Sequence, residues 1–424
     1  MNTSALKVEN LETVIGRKTI LKKINFLANT GEFIGIIGPN GAGKSTLLRS
    51  VRGILKPAGG EVKVFDTSIK ELTDKKIARS IAYMQQNINL DFGFTALETV
   101  LAGRYCYLNW WENEREEDYK IAREYLSFMG VNFLAEKSVK EVSGGERQRI
   151  FLAKALAQET PLVFLDEPTS NLDLNYQEEI FRYCRLICQH VHEKKLVMMV
   201  AHDVRMAAKF CSRLILLAQG EIIADGVPEK VVTAENLKKA YGFNSLVFKD
   251  PVSGNLDFYI YQNKDQVWSK GQVYILGAGS ASSDWIRLLF EKGFQLSGSI
   301  FCHGEIDAAT AQIFNVNAHF VTSYTEISEP ILQTAQKKQA ETDWTLLPEI
   351  TYHPQNLYLL NLALAAKTVI IIENTPIQTR DFTNGAATAL YETLLKSPRV
   401  KRFKSFDFLR AVHGGRVTLG ENFL

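Results

Sequence analysis

Long apolar runs are missing from this chain of 424 residues. Its most apolar long window, residues 357–372, is broken by Asn361, Lys367 and Thr368. It also falls short of the ~20 residues that a membrane-spanning helix needs. Work at a membrane is therefore expected to require a partner that spans it. Net charge is nearly absent: 49 Lys and Arg stand against 47 Asp and Glu, +2 in all. No whole-chain positive field draws the protein to nucleic acid. Cysteine is sparse and odd in number, with five at positions 106, 184, 188, 211 and 302. That excludes a disulfide scaffold and fits a reducing cytosol. The first residues, Met1 to Lys7, lack the apolar stretch of a signal peptide. What is present is ordinary globular composition, 46 % hydrophobic and 23 % charged. The length suggests two or three domains.

Residues 1–30 alternate short apolar and polar runs, the pattern of antiparallel strands. From Gly31 to about Gly226 the pattern is strand, glycine-rich loop, helix, more helices, then buried strands. Leu162–Leu165, Leu196–Val200 and Leu214–Leu217 read as three of those strands. Residues 111–129 have helical periodicity with a charged face. A second α/β pattern starts near Val273. The expected division is a nucleotide-binding domain at 1–242, a linker at 243–268 and an accessory, Rossmann-like α/β domain at 269–424. No internal repeat is visible.

The strand Phe33–Ile37 runs into Gly38-Pro39-Asn40-Gly41-Ala42-Gly43-Lys44-Ser45-Thr46 and then into a helical stretch. Small residues let successive backbone N–H groups turn inward as an anion nest, and the helix N-terminus adds its positive dipole end. Lys44 supplies a charge for the β and γ phosphates, and Ser45 a hydroxyl for Mg²⁺. The apolar strand Val163-Phe164-Leu165 ends in Asp166 and Glu167. Asp166 is expected to hold Mg²⁺ through water. Glu167 is expected to orient or deprotonate the attacking water.

Shortly before that strand stands Ser143-Gly144-Gly145-Glu146-Arg147-Gln148. Here the sequence resembles the ATP-binding cassette (ABC) ATPases, whose signature is a Ser-Gly-Gly-x-x-Gln stretch opening a helix. The resemblance covers about residues 5–242 and implies a P-loop ABC domain with antiparallel β and helical subdomains. Gln86 matches the Q-loop glutamine, a metal ligand and catalytic residue. Asp173, after Ser170-Asn171-Leu172, matches the D-loop, and His202 the switch histidine. Two departures stand out. Ile15 replaces the usual adenine-stacking aromatic, which weakens the expected preference for ATP over GTP. Gln85 replaces the usual proline, so Gln85 is the other possible Q-loop register.

In this family, Ser143, Gly144 and Gly145 act on a nucleotide held by the P-loop of a second cassette. One P-loop and one signature in the chain therefore imply a head-to-tail homodimer binding two ATP and Mg²⁺. Catalysis is then positioning and charge neutralisation. The stretch 92–105 and the form of the signature resemble the importer ATPases for iron–siderophore, haem and cobalamin. That likeness implies a peripheral subunit on the cytoplasmic face of the membrane, a transmembrane permease and a substrate-binding protein, with no nucleic acid. Residues 87–111, with Phe92, Phe94, Tyr105, Tyr107, Trp110 and Trp111, are the expected permease contact, although part of this set could be core. Importers of another metal or small solute share parts of the pattern. A non-transport ABC ATPase is the other class, but the 98 residues between Lys44 and Ser143 leave no room for the coiled coil of the repair members.

The last ~155 residues exceed an importer ATPase. Gly277-Ala278-Gly279-Ser280-Ala281-Ser282 after a strand is a weak dinucleotide fingerprint. The next strand ends in Cys302-His303 rather than in a ribose-binding acid, which argues against a standard NAD site. Thr383-Asn384-Gly385 could form a second anion-binding turn or a plain helix start. The domain reads as ligand-sensing, with dimerisation as the alternative. Cys184, Cys188 and His192 share a helical face but read as core. Arg399, Lys401, Arg402 and Lys404 read as a solvated face.

Overall fold

The computed structural model describes residues 4–85, 93–169, 172–189, 194–250, 253–261, 271–322 and 327–413. Chain contacts divide it into two units, Met1–Phe258 and Tyr259–Leu424.

The first unit begins with β1 (Ser4–Ile15) and β2 (Lys18–Asn29), an antiparallel pair. They are joined by β4 (Gly59–Val64) and β5 (Thr67–Ser68) in the order β2-β1-β4-β5. Alternation puts Leu6, Val8, Leu21 and Ile24 into a core beneath this sheet. The central sheet contains β3 (Phe33–Ile37), β6 (Ile81–Met84), β7 (Leu162–Asp166), β8 (Leu196–Val200), β9 (Arg213–Ala218) and β10 (Glu221–Gly226). Its order is β10-β9-β3-β8-β7-β6. All neighbours are parallel except β10 with β9. Strands β3, β7 and β8 are buried at every residue. That is why they read as continuous apolar runs, since a parallel sheet is covered on both faces.

Between β6 and β7 lies a helical region. The charged-face helix expected over 111–129 spans Glu116–Phe128. Arg104, buried, ties it down: Nε pairs with Asp118 at 3.0 Å, Nη1 with Glu159 at 2.8 Å, and the guanidinium lies over the Tyr107 ring. A buried charge so fully paired costs much more to unpair than to keep. The segment expected as a linker, 243–268, is described as far as residue 261. It carries β11 (Asn244–Lys249) and β12 (Leu256–Tyr261), and Phe258 is buried in the core of the first unit.

The second unit has a six-stranded, fully parallel sheet. Its strands are β13 (Gln272–Ile275), β14 (Gln295–Cys302), β15 (Asn317–Val321), β16 (Trp344–Leu347), β17 (Val369–Ile372) and β18 (Val400–Phe403). The order is β15-β14-β13-β16-β17-β18, the doubly wound Rossmann order. The basic cluster in and around β18 serves the fold: Arg399 donates to the carbonyls of Ala366 and Leu364, and Arg402 pairs with Glu373.

Candidate active site

Register places the functional residues of the first unit along one edge. Ile36 of β3 lies beside Val200 of β8, Val200 beside Asp166 of β7, and Leu165 beside Met84 of β6. The loop after β3, the acids ending β7, His202 after β8 and Gln85 after β6 therefore share the carboxyl edge, where open α/β sheets bind ligands.

Residues 38–43 join β3 to the helix Lys44–Val51. Gly38 has φ 146°, and a Cβ there would stand 2.0 Å from the Leu217 carbonyl oxygen. Only glycine fits this approach. Gly41 and Gly43 are also left-handed, at φ 79° and 102°. The buried Lys44 turns back over the loop, donating from Nζ to the carbonyl oxygens of Gly38 at 2.9 Å and Pro39 at 3.0 Å. Burial lowers its pKa below the usual lysine value, with the Glu167 and Asp166 carboxylates opposing.

Ser45 Oγ donates to Asp166 Oδ1 at 2.7 Å, and the Tyr83 hydroxyl to Oδ2 at 3.2 Å. Asp166 is fully buried, and burial raises its pKa against those two hydrogen bonds. Burial also pushes the Tyr83 phenol up to about 12, which keeps it a donor. Glu167 takes a left-handed backbone, φ 54°, costing ~1–2 kcal/mol for a residue with a side chain. That turn brings its carboxylate to His202, Oε1 to Nε2 2.6 Å. Gln148 Nε2 donates to the Glu167 carbonyl at 3.0 Å and so ties the signature helix to the same turn.

Ser143 caps the helix Gly144–Ala157 in a capping box with Glu146. Ser143 and Gly144 are exposed, and the Ser143 hydrogen bonds go to Glu146 rather than to the P-loop group. Asp173 is exposed. Gln86, Phe92, Ser170, Asn171 and His192 lie outside the described residues. Ile15 is 49 % exposed near the tip of the β1–β2 hairpin. The structure thus brings together Lys44, Ser45, Asp166, Glu167 and His202; of the signature, Gln148 reaches the Glu167 carbonyl, while Ser143 and Gly144 are exposed. Sequence reasoning missed Tyr83, which sits one residue before the end of β6, the strand beside β7. It quoted Gln148 in the motif without seeing its tie to Glu167.

A glycine loop against a helix N-terminus, with lysine, hydroxyl and buried carboxylate converging, defines a P-loop nucleoside triphosphatase. The model described as "ABC transporter" matches residues 21–170, and one described as "MJ0874 family" matches residues 296–408. Ferric enterobactin transport ATP-binding protein FepC of Escherichia coli (strain K12) is 36 % identical over 254 residues, 60 % of this chain and 93 % of that protein. Cobalamin import ATP-binding protein BtuD of Halobacterium salinarum (strain ATCC 29341 / DSM 671 / R1) is 29 % identical over 332 residues, 78 % of this chain and 82 % of that protein. Residues 1–258 cannot supply so large a share, so this match reaches into the second unit. A solved structure described as an inward-facing conformation of a metal-chelate type ABC transporter matches with TM-score 0.54 and 27 % identity, over 61 % of this chain and 98 % of that one. The chain belongs to the ABC family of transporter ATP-binding proteins, and it is an ATP-binding, ATP-hydrolysing member.

Proposed function

We propose that this chain is the ATPase subunit of an importer for a metal chelate, with cobalamin the favoured cargo over an iron–siderophore or haem. The assembled cluster of Lys44, Ser45, Asp166, Glu167 and His202 carries the ATPase assignment. The cobalamin preference rests on the Halobacterium relative, whose similarity extends past the cassette.

The phosphates of ATP would lie on the N–H groups of residues 38–46, with Lys44 exchanging two neutral carbonyl acceptors for charged phosphate oxygens. Glu167 would hold the attacking water and take its proton, with His202 fixing that carboxylate and facing the γ-phosphate. The donor set fits Mg²⁺: a hydroxyl and a buried carboxylate 2.7 Å apart, both hard oxygen ligands. Ser45 and Asp166 would hold the ion, with Gln86 from the Q-loop, and the ion supplies charge neutralisation at the phosphates. Tyr83 would orient the carboxylate of Asp166.

Ser143 and Gly144 are exposed, and with them a second copy would complete each site. Two copies then close over two ATP, and hydrolysis lets them part. No described helix is long and apolar enough to cross a membrane. Coupling would therefore pass to a separate permease, fed by a substrate-binding protein. Phe94, Tyr105, Trp110 and Trp111 are exposed, Trp110 by 92 %, and form the proposed contact. Tyr107 is half-buried, its hydroxyl donating to the Gln158 carbonyl at 2.9 Å and its ring lying under the Arg104 guanidinium.

Uptake of labelled cyanocobalamin and of a labelled ferric siderophore, in cells lacking the gene, tests the cargo. Cobalamin uptake should be lost, and restored by the wild type but not by Glu167→Gln. Loss of siderophore uptake alone would remove the cobalamin reading and leave the ATPase assignment standing.

A further inference from the structure

The second unit contains a crevice of about 500 Å³, within the usual range for a small-molecule site. Gly277 and Ala278 line it from the loop after β13, Cys302 and Glu305 from the end of β14 and beyond, and His353 and Gln355 from the segment after β16. Strands β13 and β16 are the neighbours at which the sheet changes winding direction, so the crevice lies at the topological switch point. In a doubly wound fold this is where a dinucleotide would be expected.

The chemistry of this crevice opposes a dinucleotide. The N–H groups that would receive a pyrophosphate already bond to carboxylates of the chain. Glu305 Oε2 accepts from Gly279 N at 3.0 Å, and both oxygens of the fully buried Asp307 accept from Ser282 N at 3.0 Å. Ser283 Oγ donates to the same Asp307 at 2.6 Å. A phosphate here would meet two negative charges instead of an open nest. The second glycine turn is filled in the same way: Asp381 accepts from the N–H groups of Thr383 and Thr388, each at 2.8 Å. These bonds, with those from the two threonine hydroxyls, hold Asp381 well below the usual carboxylate range. Among the described lining residues there is no Lys or Arg, and Glu305 is the one formal charge.

We propose that this crevice binds a small amine-bearing organic molecule, held by the Glu305 carboxylate, in place of a nucleotide. His353 and Gln355, hydrogen-bonded to each other at 2.8 Å, are further polar side chains of its lining. Tyr358 forms a fixed part of the wall, its hydroxyl donating to the Ile300 carbonyl at 2.9 Å. The inference stands independently of the cargo and of the cassette chemistry.

Isothermal titration of the full chain, with ADP present to fill the P-loop, tests it. The probes are ethanolamine, agmatine and tryptamine on one side and NAD⁺ on the other. At least one amine should bind saturably, one per chain, and NAD⁺ should not. In Glu305→Gln the amide oxygen can still accept from Gly279 N while the charge is gone. That variant should keep the wild-type unfolding temperature and bind the amine at least ~10-fold more weakly. Saturable NAD⁺ binding, failure of all three amines, or undiminished amine affinity in Glu305→Gln would each overturn the proposal. Repeating the titration in Lys44→Ala separates this site from the cassette, because amine binding should be unchanged there.

Discussion

Replacing Glu167 with Gln removes a charge and a proton acceptor while nearly preserving shape. In the structure this carboxylate is nine-tenths buried, on a left-handed turn, 2.6 Å from His202 Nε2. Gln can still accept from that ring nitrogen. The lost charge assistance costs about 1 kcal/mol, the gap between charged and neutral hydrogen bonds. That is small beside the roughly 5–15 kcal/mol that holds a domain folded. The variant should therefore fold, and the P-loop, Lys44 and Ser45 should bind ATP as before. General base catalysis contributes ~10²–10⁴-fold, which is about 2.7–5.5 kcal/mol of barrier. Phosphate release should fall by that factor, while ATP affinity, followed with a fluorescent analogue, stays within about threefold. Turnover within threefold of wild type would refute the water-activating role of Glu167.

Gly38→Ala should destabilise the cassette by about 3 kcal/mol or more, since its Cβ would collide with the Leu217 carbonyl at 2.0 Å. A lowered unfolding temperature checks it; an unchanged one would mean that the loop rearranges freely. Acidification should weaken the Mg²⁺ requirement's fulfilment at a higher pH than an ordinary carboxylate allows. Burial raises the Asp166 pKa, so the protonated form, which cannot bind the ion, returns early as pH falls. The sign for stability is the reverse. A raised acid pKa means that the folded state takes the proton more readily than the unfolded one, so protonating Asp166 relieves the fold. The Mg²⁺ concentration for half-maximal ATPase, measured as pH is lowered, should rise before the chain unfolds. A flat profile down to the ordinary carboxylate range would contradict it.

Much of the cassette was legible because its chemistry is written in short local runs. The strand Phe33–Ile37, the loop 38–43 and the acids ending β7 each declare themselves in fewer than ten residues, and parallel pairing sends all of them to one edge. Tyr83 was harder to see: a tyrosine beside a motif has no distinctive pattern until β6 is paired with β7. The second unit shows the opposite case. Its glycine loop at 277–282 looks like a phosphate cradle, but what it can bind is decided by Glu305 and Asp307, more than twenty residues away. Likewise the turn Thr383–Gly385 could have been an anion site, and Asp381, two residues before it, fills it. The segment 243–268 reads as a linker in the sequence. The structure pairs β11 with β12 in this segment, and alternation in six-residue strands is too brief to stand out.

The central claim is that two copies close on two nucleotides. Light scattering of the purified full chain carrying Glu167→Gln, with and without Mg-ATP, tests it most directly. The account predicts a single copy without nucleotide and a dimer retaining two ATP with it. A chain that binds ATP and remains a single copy would contradict it.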